Sequence, residues 1–162
     1  MSDSTSLSKY QKLTDKEHIL KKPDTYIGSI EKTDNEDYIL ENDSIIYKNF
    51  ENVPGLFKIF DEGIVNCRDH VIRQKQAVHD NIKHALPVTN IDISLDEDGT
   101  IHMYNDGNGI DVAEHPEYKL WIPEMIFGHL RTSTNYDEKK KKKIVGGKNG
   151  FGFKLVLIWS SW

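Results

Sequence analysis

Glu62 and Asn66 stand four residues apart in a stretch whose apolar residues recur every three or four positions. On a helix that spacing puts both side chains on one face, with Asp69 close to it. A carboxylate and an amide one turn apart suit metal-assisted hydrolysis. The carboxylate would take a proton from water as general base, and the amide oxygen is a hard ligand for Mg²⁺. The same pair also occurs on plain solvated helix faces, so alone it decides nothing. Asn105-Asp106-Gly107-Asn108-Gly109 follows a strand-like run. Its two glycines let the backbone turn sharply and approach a ligand, and Asn105 is placed to bond the edge of a base. Taken alone, an ordinary Asn-Gly turn is the simpler reading. Gly146-Gly147-Lys148-Asn149-Gly150-Phe151-Gly152-Phe153-Lys154 precedes an apolar helix. Such a loop lets successive N–H groups converge on phosphate oxygens, and the helix start favours the anion. Lys148 and Lys154 add positive charge. The spacing matches neither a Walker A loop nor a dinucleotide fingerprint, and a flexible surface loop is an equal alternative.

The elements that must hold these residues are legible in the apolar pattern. Phe57, Phe60, Ile64, Cys67 and Val71 form one stripe and predict a helix over 54–78. Ile91, Ile93 and Leu95, then Ile101 and Met103 beyond the turn Asp96-Glu97-Asp98-Gly99, predict a β-hairpin with one buried face. Residues 38–50 alternate weakly and read as a second hairpin. Residues 123–130 read as a short helix, and a further helix starts at Lys154, in which the chain stops without a cap signal. Near the beginning, residues 1–8 read as a disordered tail and residues 10–21 hold a short helix. Lys22-Pro23-Asp24-Thr25-Tyr26-Ile27-Gly28 reads as a break followed by an extended piece. This order predicts an α+β sandwich over 9–162, helices on one face of a mixed, largely antiparallel sheet.

Charge and composition narrow the role. A net charge of −5 and a pI near 5.8 argue against a surface built mainly to grip DNA. The lysine run at 139–143 is more simply a solvated loop than a DNA contact. One cysteine, Cys67, excludes a disulfide within the chain and suits a reducing compartment. Cys67 and Trp159 and Trp162 read as core. His79 and His84 lack metal-ligand spacing. No secretory leader is visible, and the apolar run at 155–159 is too short to span a bilayer, which predicts an intracellular protein without a membrane partner.

Taken together and in this order, Glu62-xxx-Asn66, Asn105-x-Gly107-x-Gly109 and Gly147-xx-Gly150-x-Gly152 resemble the N-box and the two glycine boxes of the GHKL ATPases. Flanking words select a branch. Tyr10-Gln11-Lys12-Leu13-Thr14, Glu17-His18-Ile19-Leu20, Lys22-Pro23-Asp24-Thr25-Tyr26-Ile27-Gly28-Ser29 and Phe57-Lys58-Ile59-Phe60-Asp61-Glu62 resemble eukaryotic-type type IIA DNA topoisomerases. So do Ile122-Pro123-Glu124-Met125-Ile126-Phe127-Gly128-His129-Leu130 and Thr132-Ser133-Thr134-Asn135-Tyr136. The resemblance covers residues 9–158.

The resemblance implies a GHKL (Bergerat) ATP-binding sandwich with ATP and Mg²⁺ as cofactors. Glu62 would be the general base and Asn66 the metal ligand. Asn105, with Gly107 and Gly109, would meet adenine. Ser133, Thr134 and Asn135 would contact ribose and phosphate. Gly147, Lys148, Asn149, Gly150, Phe151, Gly152, Phe153 and Lys154 would wrap the phosphates. Asp69 and His70 belong to the same nucleotide-facing region. Tyr10 would reach into a partner protomer's site, implying a homodimer on ATP binding. DNA would be bound mainly by parts of the enzyme outside this chain.

Several positions depart from the family pattern. His70 stands where many members carry Asn, which puts a ribose or phosphate contact there in question. Gly63 replaces an aliphatic residue and should loosen its helix turn. Lys148 replaces Arg and loses a forked donor, and Phe153 stands where Ala is common. Residues 155–162 resemble large DNA virus enzymes, so the expected location is the nucleus or, for a viral chain, the host cytoplasm or virion. Two functional readings follow: an ATPase module that drives duplex passage through a transient double-strand break, or a catalytically incompetent nucleotide-binding or dimerising fragment. Another GHKL branch is a third. The family's γ-phosphate lysine and its DNA-cleaving tyrosine lie beyond residue 162. The chain alone is therefore expected to turn over little ATP, with Leu155, Leu157 and Ile158 lacking cover.

Overall fold

The computed structural model describes residues 9–133 and 150–160. They fall into two compact units that divide between Leu56 and Phe57.

The first unit opens with helix α1 (Asp15–Lys21). Its start is a capping box: the Glu17 amide donates to the Thr14 hydroxyl at 3.3 Å, and the Thr14 amide donates to the Glu17 carboxylate at 2.8 Å. Those bonds from Thr14 hold the Glu17 carboxyl below the usual carboxylate range. Where an extended piece is expected after the Lys22-Pro23 break, the chain instead forms a one-turn helix α2 (Pro23–Tyr26). Proline fits the first helical position because the N–H it lacks has no partner there. The Ile27 amide closes the turn on the Pro23 carbonyl at 2.8 Å. Gly28 then takes a φ of +90°, open to glycine at little cost. Among the described residues of this unit, the buried apolar side chains are Ile19 and Ile27.

Strands β1 (Thr33–Glu41) and β2 (Ser44–Asn52) pair antiparallel from Thr33↔Asn52 to Glu41↔Ser44, a longer hairpin than the alternation over 38–50 predicts. Asn42 and Asp43 close it with φ of +50° and +58°, the two left-handed residues that a type I′ turn requires.

Helix α3 (Pro54–His79) matches the predicted span within one residue. Cys67 on its stripe is buried, and burial pushes its thiol pKa up, as fits a small core residue. Phe57, in the first turn, is the exception at 67% exposed. Gly63 is buried, and a Cβ there would lie 2.4 Å from Met103 Sδ. The glycine that costs helix propensity therefore admits Met103.

Strands β3 (Ile91–Leu95) and β4 (Ile101–Asn105) form a second antiparallel pair with Ile93 opposite Met103. The predicted buried face is not formed. Ile91, Ile93, Leu95 and Ile101 are all exposed, and Met103 and Asn105 on that face are half-buried. Among the described residues this sheet has two strands, too few to cover a face.

Helix α4 (Ile122–Gly128) lies where residues 123–130 predict it. Helix α5 (Gly152–Trp159) begins two residues ahead of Lys154 and has a proper end: Ser160 is extended and its amide donates to the Val156 carbonyl at 2.9 Å. Phe127 and Phe153 meet edge to face, ring centroids 5.6 Å apart, joining α4 to α5. Leu155 is buried, against expectation, whereas Leu157 is exposed. Helices with antiparallel hairpins make the class α+β, as predicted. Among the described residues no helix is long and apolar enough to cross a membrane.

Candidate functional site

In the second unit, parts of the 105–109 and 150–154 segments meet one stripe of α3. Glu62, Asn66 and His70 follow each other at intervals of four and share that stripe. The two carboxylate oxygens of Glu62 have different surroundings. Oε1 lies 2.7 Å from the Lys58 ammonium, one turn earlier, which also reaches Asp61 at 3.2 Å. The bond to Glu62 is the first cause of a raised Lys58 pKa. Oε2 faces the start of α5: a Cβ at Gly152 would lie 2.7 Å from it, well inside contact distance. Glycine is therefore what lets the carboxylate sit against this backbone. Asn66 Nδ2 donates to the Glu62 carbonyl at 2.7 Å. That bond fixes the amide plane and turns Oδ1 away from the helix backbone. Asp69 is buried at 2% exposure, with Arg68 Nη1 3.4 Å from its Oδ1.

The 105–109 turn is built by side chains that the sequence reading passed over. Asp106 Oδ1 accepts the amides of Thr89 at 2.7 Å and Asn90 at 2.9 Å, and Oδ2 accepts the Thr89 hydroxyl at 2.5 Å. The Thr89 hydroxyl first, then these amides, hold the Asp106 carboxyl below the usual range. Asn108 Oδ1 accepts the Leu86 amide at 2.6 Å, and its Nδ2 donates to the His84 carbonyl at 3.0 Å. Gly107 has a φ of +90°, and a Cβ there would lie 2.9 Å from Val88 Cγ2, so close approach and handedness both require glycine. Beside Gly109 the space is open. Asn105 is half-buried at the end of β4, its Nδ2 donating to the Asp106 carbonyl at 2.9 Å. His70 Nε2 lies 2.7 Å from the Asn108 carbonyl, which can only accept, so the ring nitrogen donates.

At the other end, Lys154 is buried and its ammonium donates to the carbonyl of Thr132, the neighbour of Ser133, at 3.0 Å. Desolvation pushes the Lys154 pKa down. The Arg131 amide donates to the Gly150 carbonyl at 3.1 Å, and Gly150 has a φ of +68°. Phe151 caps α5 without a side-chain bond. Thr134, Asn135, Gly147, Lys148 and Asn149 lie outside the described residues, as do the 139–143 lysines, Trp162 and the 1–8 tail. Tyr10 belongs to the first unit, where it is exposed with the Lys9 ammonium 5.3 Å from its ring. Among the described residues no group of three or more His, Cys, Asp or Glu is placed to hold a metal ion. The sequence reading also missed Lys58, whose four-residue spacing from Glu62 was a visible signal.

No protein-family model matches the chain. It is 48% identical over 155 residues to DNA topoisomerase 2 of Meyerozyma guilliermondii, a match covering 94% of this chain and 10% of that protein. DNA topoisomerase 2 of Acanthamoeba polyphaga mimivirus is 49% identical over 159 residues, covering 94% and 12%. The crystal structure of the ATPase region of Saccharomyces cerevisiae topoisomerase II superposes with a TM-score of 0.84 at 45% identity, covering 96% of this chain and 39% of that one. The ATPase and transducer domains of the Balamuthia mandrillaris enzyme give 0.83 at 39% identity, covering 94% and 37%. The chain thus spans about a tenth of the length of the curated relatives it matches. It is homologous to DNA topoisomerase 2 and corresponds to part of that enzyme's ATPase region.

Proposed function

We propose that this chain is the ATP-binding and hydrolysing part of a type IIA DNA topoisomerase, supplying the nucleotide cycle for passage of one duplex through a transient double-strand break. The observation that carries the reading is the position of Glu62: Oε1 is held by Lys58 while Oε2 faces Gly152 at the start of α5. A water between Oε2 and a bound γ-phosphate would give its proton to the carboxylate as its oxygen bonds to the γ-phosphorus. The bond to the β–γ bridging oxygen breaks, ADP and phosphate leave, and the proton returns to solvent. The first-turn amides of α5, lacking a side-chain cap, suit phosphate oxygens. Lys154 would add a cation near them, and Ser133, next to the Thr132 carbonyl that Lys154 holds, would contact the nucleotide. Asn105 would bond the adenine edge.

The donor set fits Mg²⁺, which keeps several waters and substrate phosphates and asks few protein oxygens. Asn66 Oδ1, turned away from the backbone by the Nδ2 bond, would hold it. When bound, the ion neutralises charge on the phosphates. We further propose that ATP closes a homodimer through Tyr10, that DNA is bound mainly outside this chain, and that the protein works in the nucleus or, if viral, in host cytoplasm or virion. Because the chain spans 39% of the solved yeast ATPase region, turnover is assigned to the longer arrangement; the chain alone is expected to bind without appreciable turnover. The test places this chain in the yeast ATPase region in exchange for its matching segment. Glu62→Gln should keep ATP binding and reduce turnover at least about 100-fold. Turnover within a few-fold of the parent would remove Glu62 from the base role.

A further inference from the structure

We infer that His70 is a positioning residue whose ring N–H fixes the 105–109 turn relative to Glu62 and Asn66 and thereby sets base selectivity. This rests on the ATP-binding reading. His70 is the third member of the stripe, and the three residues serve two ends of one site. Glu62 and Asn66 lie against Gly152, with the Cβ position of Gly152 at 2.7 Å from Glu62 Oε2 and 3.8 Å from Asn66 Nδ2. His70 instead donates across 38 residues of sequence to the Asn108 carbonyl at 2.7 Å.

The partner it chose is the hub of the turn. The Asn108 side chain already holds the 84–86 segment through the Leu86 amide and the His84 carbonyl. The neighbouring Asp106 is tied to Thr89 and Asn90. Those bonds anchor the turn to the segment before β3. The His70 bond alone among these ties it to the helix that carries Glu62 and Asn66. Met103 already packs β4 on Gly63 of this helix, so the His70 bond sets the tilt of the turn beyond β4, and without it the distance from base end to phosphate end is held less closely. An asparagine at this position carries its N–H closer to the helix and does not reach as the imidazole Nε2 does. The departure from the family residue therefore exchanges a contact for a tether.

The test uses the whole chain with His70→Phe, which keeps the ring and loses the donor, and His70→Gln, whose amide N–H has a reach similar to Nε2. Amide hydrogen exchange is followed at Leu86 and residues 106–109, and affinity is measured for fluorescent ATP and GTP analogues, with helix content checked by circular dichroism. We expect His70→Phe to speed exchange at these amides about tenfold and weaken ATP binding about tenfold. GTP binding should weaken less, narrowing the ATP preference, a change that general loosening would not produce. His70→Gln should restore all three to within about threefold. Exchange at 106–109 unchanged in His70→Phe, or His70→Gln as impaired as His70→Phe with helix content intact, overturns the inference. Faster exchange in His70→Phe with no nucleotide bound by the parent chain supports the tether and overturns the ATP-binding reading instead.

Discussion

The two glycine-rich segments are made by opposite means. In the 105–109 turn, side chains build the shape: Asp106 and Asn108 together gather backbone groups from Thr89, Asn90, Leu86 and His84, and His70 adds the link to α3. At the start of α5 a missing side chain makes the shape, since Gly152 vacates the volume that Glu62 Oε2 approaches. The first arrangement is a rigid wall and tolerates little change in its polar side chains. The second is a gap, and any atom placed in it acts directly on the carboxylate. A loop that must recognise the edge of a flat base gains from the former. A loop that must close on phosphates beside a base catalyst gains from the latter.

That contrast is broken most severely by filling the gap. Gly152→Ala puts a methyl 2.7 Å from Glu62 Oε2, the far end of a flexible side chain that can move aside. The fold should therefore survive with its melting temperature nearly unchanged. Turnover, measured in the yeast ATPase region carrying this chain, should fall about 100-fold from misplacement of the base. A loss of folding, or full activity, would contradict the gap.

A milder change loosens the same carboxylate from its other side. Lys58→Met removes the partner of Oε1 and should lower turnover roughly fivefold, the value of a partly exposed ion pair near 1 kcal/mol, with analogue affinity unchanged. An equal loss in binding and turnover would show Lys58 to be structural instead.

The wall is probed by pH. The Asp106 carboxyl is held below its usual range, so its contribution to stability is complete above the unfolded-state pKa and is lost as pH falls through the folded value. Asp106→Asn should be less stable than the parent at neutral pH, with the difference shrinking as the solution is acidified toward and below the ordinary carboxylate range. Thermal melts across that range decide it; a constant difference would mean the Thr89 and Asn90 bonds do not depend on the charge.

Much of this was legible in residue order. The period of Phe60, Ile64, Cys67 and Val71 located α3, and spacing alone put Glu62 and Asn66 on one face of it. What was not legible has physical causes. Alternation in β3 tells which residues share a face but not whether anything covers it, and Ile91, Ile93 and Leu95 are exposed. A proline after a lysine reads as a break, yet Pro23 opens a helical turn because its missing N–H is free there. Asp106 and Asn108 looked like turn filler because their partners lie 16–24 residues away, beyond any local pattern. His70 was visible as a departure from the family, but its bond to Asn108 depends on how the turn folds back over α3.

If α3 presents a metal-dependent ATP site, Asn66 is the side chain through which binding should depend on the metal. The purified chain is titrated with a non-hydrolysable ATP analogue, with and without Mg²⁺, alongside Asn66→Ala. Mg²⁺ should strengthen binding to the parent chain, and this gain should be largely lost in Asn66→Ala, because the amide oxygen is gone. The same Mg²⁺ dependence in both proteins, or no binding to the parent chain at all, would rule out such a site on α3.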